Sequence, residues 1–162
     1  MQVTAAKHLV TELRDMHTWT LRLLARIPDD RWLESMPWTE CLVAWHVGHL
    51  AWYPDEMLTR FSNLPAVLGD DWKEHFWSER PLNPATAPAR EEILRVYAET
   101  LERFCEWFLT VPEDALYVRQ FEGDGGSPFS AMLMLIFHEG EHYAGLESMR
   151  WWWEQQGHTA AV

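Results

Sequence analysis

Along this chain, long stretches with an apolar residue every three or four positions are separated by short breaks of proline, glycine and charge. Leu9, Leu13, Met16, Leu23 and Ile27 fall at three- and four-residue steps or their multiples, which predicts a helix from about Thr4 to Ile27. Pro28-Asp29-Asp30 breaks it. A second helix is predicted to begin near Trp38-Thr39, with Thr39 as a candidate cap, and to continue through VAWHVGHLAWYPDEMLTRF to about Phe61. Pro54 lies inside it and cannot donate to Leu50, so a kink or a restart is expected there. The third opens after Thr86-Ala87-Pro88 with Glu91 and Glu92 in its first turn. Its core stripe is Ile93, Tyr97, Leu101, Phe104 and Phe108, and Pro112 ends it. Ser127-Pro128, an N-cap followed by proline at the first helical position, opens the fourth. That helix should run to about Gln156, with Gly157 as the stop.

Between the second and third helices lies a long connection rich in Pro, Asn and Trp, with one short helix predicted around DWKEHFWSE. Glu122-Gly123-Asp124-Gly125-Gly126 reads as a flexible turn, and ALYVRQF offers one weak strand signal. The pattern predicts an all-α fold, a four-helix bundle with a long crossover between helices two and three. A length of 162 residues predicts a single domain over 1–162.

Composition narrows the partners. A formal net charge of −12 argues against nucleic acid, whose phosphates demand clustered Lys and Arg. There is no run of about 18 apolar residues to span a membrane. The opening MQVTAAKHLVTELRD carries charges where a signal peptide needs an apolar stretch. Cys41 and Cys105 have no ligand spacing and read as two buried, reduced thiols, so a cytoplasmic location is expected. Tryptophan is abundant at 11 residues. Three of these, Trp151, Trp152 and Trp153, span three faces of one helix, so at least one is expected at the surface or at a contact.

The chemistry concentrates in FHEGEHYAGLES. His138 and His142, four apart, project from one helix face with their Cβ atoms about 5–6 Å apart. Leu135 and Leu146 turn that face inward, where two unpartnered imidazoles are costly to bury. The second helix adds His46 and His49, about 60° apart around its axis, and either can bring a third nitrogen to one ion. Three histidines with an open position suit zinc, nickel or iron. Gly48, Gly140 and Gly145 lie within three residues of these histidines at a cost of about 1 kcal/mol each inside a helix. They suggest a close helix approach, or room left for something.

His138-Glu139-Gly140-Glu141-His142 also matches the zinc-protease pattern H-E-x-x-H. A metzincin needs histidine where Ser148 stands. A zincin also holds its peptide on a sheet edge, and no strand pattern supplies one. A di-iron bundle needs two Glu-x-x-His motifs, and only Glu139 to His142 provides one. Glu139 is a candidate catalytic carboxylate or an acceptor behind a ligand; Glu141 reads first as a solvated helix charge. Tyr53, one turn after His49, is a core tyrosine or a pocket wall.

Taken together, Trp38 at the opening of the second helix, His49-Leu50-Ala51 and the H-E-x-x-H on the last helix resemble the DinB/YfiT-like superfamily of metal-binding four-helix bundles. The resemblance covers essentially the whole chain. It implies that His49, His138 and His142 are the metal ligands, with His46 the alternative to His49. AWHVGHLAWY is also similar to the iron-binding domain of ergothioneine-pathway sulfoxide synthases, although Ala144 departs from the glutamate those enzymes place after the final histidine. The superfamily includes bacillithiol S-transferases and mycothiol isomerases. The resemblance thus implies a divalent-metal enzyme acting on a small-molecule substrate with a low-molecular-weight thiol, in a chain that forms a homodimer. Where members continue from the last metal histidine with Arg-Gly-Gln, this chain has Tyr143-Ala144-Gly145-Leu146, so its pocket beside the metal differs.

Overall fold

The computed structural model describes residues 4–77, 81–122 and 126–157. Its elements are helical: α1 (Ala5–Leu24), α2 (Val43–Phe61), the short α3 (Asp70–Phe76), α4 (Arg90–Thr110) and α5 (Pro128–Gln155), plus a 3-10 turn at Asp29–Arg31. Among the described residues no strand forms, and the ALYVRQF stretch is turn and coil. The predicted positions Ser78, Glu79, Gly123, Asp124 and Gly125 lie outside the described residues.

Boundaries moved where local hydrogen bonds outcompeted periodicity. At the end of α1, Arg26 N–H bonds the Leu23 carbonyl and Ile27 N–H the Leu24 carbonyl, three-residue bonds that tighten the chain out of the α-helix. Ile27 is still buried. Thr39 does not cap α2: its hydroxyl accepts from Cys41 N–H at 3.0 Å, while Met36 and Thr39 exchange backbone bonds in a small bridge. These contacts hold a turn ahead of the helix, which starts at Val43. Pro54 does not restart α2, which runs through it as one helix. At α5 the expected start holds, with Ser127 and Ser130 forming a reciprocal capping box before Pro128. Gly157 closes it at φ 77°, a conformation that favours glycine.

α1 packs on α5 and α4, α2 on α4 and α5, and α3 lies against α2. One apolar cluster joins Trp32, Val43, Val47, Leu50, Phe76, Leu146 and Trp153; a second joins Val10, Leu13, Met57, Phe104, Phe108, Met132 and Leu135. The inner seam of α5 reads Met132, Leu135, Glu139, His142, Leu146, Met149, Trp153, in alternating steps of three and four. Two of those seam positions are polar, so the core must supply partners for them. The tryptophan run divides as the helix period demands, with Trp153 buried and Trp151 exposed. Both cysteines are free thiols, Cys105 buried as expected and Cys41 only partly so.

Glu139 finds its partners away from the histidines. Its Oε1 accepts the Thr20 hydroxyl of α1 at 2.7 Å and the Tyr97 hydroxyl of α4. Burial raises its pKa, opposed by those two bonds. His17 lies beside this cluster, its ring centroid 4.2 Å from that of Tyr97 and its Nδ1 buried without a partner. Burial lowers the His17 pKa from 6.5 to about 4. Between those values the unfolded chain takes up a proton that the folded chain refuses, so stability falls as pH drops through that window. Urea unfolding of His17→Phe should therefore lose less stability between pH 7 and pH 5 than the parent. An unchanged pH slope would show that His17 is not a source of acid sensitivity.

Candidate metal centre

α2 and α5 cross so that His49, His138 and His142 bring one ligand atom each to within 4.8 Å of one another. His138 and His142 meet through their Nε2 atoms, 3.0 Å apart. Two nitrogens bound at 2.0–2.1 Å in a tetrahedral shell would stand about 3.4 Å apart, so little movement is needed to seat an ion. His49 directs its Nδ1 to the Phe76 carbonyl at 2.7 Å. A carbonyl only accepts, so this nitrogen carries the proton and Nε2 keeps a lone pair. Trp45 stacks on the His49 ring at a centroid distance of 4.8 Å and an interplanar angle of 10°. His46 is outside the converging set; its Nδ1 lies 2.8 Å from Nδ1 of His142.

The electrostatics suit a cation. Burial, then the charges of neighbouring histidines, lower His142 to about 2 and His46 and His138 to about 4. Burial also lowers His49. At neutral pH all four are uncharged, the form that offers a lone pair to a metal. Apart from the His49–Phe76 contact, the hydrogen bonds of these rings among the described residues run from one imidazole to another. His138 Nδ1 has no partner among the described residues. A buried polar cluster this sparsely satisfied is costly unless something else binds it. The donor set and its spacing fit a divalent ion.

Part of the site comes from the crossover, which periodicity could not place. α3 docks on α2 through Trp72 Nε1, which donates to the Gly48 carbonyl at 3.0 Å, and through the Phe76 ring over Gly48. A Cβ at Gly48 would sit 2.2 Å from that ring, so only glycine permits the approach that puts the Phe76 carbonyl on His49. Gly145 answers a similar need, since a Cβ there would lie 3.2 Å from His46 Cε1. Gly140 does not: its Cβ would make ordinary contact with Met16. The carboxylates separate too. Glu139 is turned toward α1 and α4, and Glu141 is exposed.

A groove of about 510 Å³ opens beside His138, lined by Tyr53, Leu133, Met134, Phe137 and Glu141. Its size falls within the usual range for small-molecule sites. The Tyr53 ring lies 4.9 Å from that of His138, so this tyrosine both packs against the centre and walls the groove.

An all-α scaffold that gathers three imidazoles from two helices defines a helical protein with a candidate divalent-metal centre. The family comparison agrees: the chain belongs to the DinB superfamily, whose family model matches residues 12–145. No curated protein matches it. Among the described residues, no helix is long and apolar enough to cross a membrane.

Proposed function

We propose that this chain is a metal-dependent small-molecule enzyme that holds zinc, nickel or iron on His49, His138 and His142 and acts on a substrate together with a low-molecular-weight thiol. The observation that carries the reading is the convergence of three neutral imidazoles beside an aromatic groove. When bound, a divalent ion on three neutral ligands supplies Lewis acidity that lowers the pKa of a thiol or water. The protein's own groups then have positioning work. Phe76 holds the His49 tautomer, Tyr53 and Phe137 offer faces to an apolar substrate, and Leu133 and Met134 exclude water from it. Among the described residues Glu141 is the one acidic group lining the groove, which favours a neutral or cationic substrate over an anionic one.

A second reading, metal binding without turnover, draws support from Glu139. Its carboxylate is engaged by Thr20 and Tyr97, so it is not free to act as a base at the centre. Thiol transfer tolerates this, because an activated thiol needs no protein base. The free thiols of Cys41 and Cys105 support a reducing, cytoplasmic setting, and the net charge of −12 supports the absence of a nucleic-acid partner. Trp38 and Trp151 remain more than half exposed, and a homodimer joined there is part of the proposal.

The test is elemental analysis of the purified protein, followed by a screen of thiols against electrophiles. The proposal expects one divalent ion per chain and thioether formation that a chelator abolishes. Stoichiometric metal with binding but no turnover leaves the second reading. Absence of stoichiometric metal ends both.

A further inference from the structure

We propose that His46 is the positioning residue of His142, setting the tautomer in which His142 meets the ion. The inference rests on the three-histidine reading of the centre and concerns a residue outside that set. His142 has two ring nitrogens with separate neighbours: Nε2 lies 3.0 Å from His138 Nε2, and Nδ1 lies 2.8 Å from His46 Nδ1. A neutral imidazole carries a proton on one nitrogen and an in-plane lone pair on the other. For His142 to offer Nε2 toward the shared centre, its proton must sit on Nδ1. A buried N–H needs an acceptor, and His46 Nδ1 is the group in place. His46 therefore keeps its own proton on Nε2. The opposite assignment would put the His142 proton between it and His138 and remove a donor from the centre.

Two further observations support this division of labour. His49 is held in the same manner from outside, its Nδ1 on the Phe76 carbonyl at 2.7 Å, so two of the three donors carry an external tautomer lock. Gly145, three residues after His142 on α5, leaves the space that the His46 ring occupies, with a Cβ there only 3.2 Å from Cε1. Sequence spacing alone makes His46 a rival of His49. The contacts make it a partner of His142.

Cobalt(II) titration, read by its d–d spectrum and by zinc competition, tests the idea on the full chain. His46→Ala should bind one ion per chain about 10- to 100-fold more weakly than the parent, the usual cost of removing a partner behind a ligand. His46→Asn, whose side-chain oxygen accepts where Nδ1 did, should recover most of the affinity with an unaltered spectrum. Apo melting temperatures taken in parallel identify a purely structural effect, which would move stability in both variants and leave the affinity of the folded protein unchanged. That result overturns the inference. So does loss of stoichiometric binding with a changed spectrum in His46→Asn, which would make His46 a ligand. If His46→Ala does not fold, Gly145→Ala takes its place: crowding the His46 ring should weaken cobalt binding, and parental affinity there and in His46→Asn with an altered spectrum overturns the inference. Failure of the parent chain to bind cobalt at all overturns the three-histidine centre itself.

Discussion

His142→Leu should leave a folded protein that no longer responds to metal. In the parent, zinc at about 1,000 times its Kd should add about 4 kcal/mol to stability, because only the folded chain assembles the donors. For a chain of this size that is a rise in Tm of roughly 8–16 °C. His142 is the donor most enclosed by others, packed against His46, His49 and His138 with its pKa driven down to about 2. Leucine matches its volume but leaves His46 Nδ1 and His138 Nε2 without the partner that His142 gave them, so the metal-free protein should lose about 1–3 kcal/mol of stability. The metal-dependent rise should vanish. A variant that still gains the parental shift on adding zinc would show that the ion sits elsewhere.

Asp55→Ala should be strongly destabilising although Asp55 lies away from the histidines. Asp55 is 3% exposed, and its carboxylate accepts from the Val67 and Leu68 amides at 3.1–3.2 Å and from Arg103 at 3.1 Å. It thereby ties α2 to α4 and to the connection that leads into α3. Removing one partner of a buried ion pair costs about 3–5 kcal/mol. Arg103 is still partly solvated and also donates to the Pro65 carbonyl, which places the expectation near the lower end, about 3 kcal/mol. Urea unfolding measures it. Because α3 carries the Phe76 carbonyl to His49, metal affinity should weaken as well. A loss below about 1 kcal/mol would mean that contacts other than those of Asp55 hold the connection.

Much of this was legible before any coordinates. The steps of three and four in α1, α4 and α5 predict both the helices and their buried faces, since a single turn decides which side chains align. His138 and His142 follow by the same arithmetic, because a spacing of four places both on one face whatever lies opposite. The ends of helices were less legible. Thr39 and Ile27 belong to turns whose bonds involve Met36, Cys41 and the last carbonyls of α1, and such short-range competition leaves no periodic trace. The surroundings of Glu139 were not legible for a related reason. Adjacency to His138 in sequence places it about 100° away around the helix, facing Thr20 and Tyr97.

What the chain determines by itself is an all-α architecture and a pair of imidazoles on one inner face, since both follow from backbone geometry repeated along each helix. The choice between His46 and His49 could not be made that way. Both are on the same short stretch of α2 and both approach α5. Only the packed structure distinguishes their surroundings, by delivering the Phe76 carbonyl across Gly48 to one and Nδ1 of His142 to the other. Those partners come from segments far along the chain. Their meeting depends on how the helices and the crossover fill space together, which no local spacing encodes.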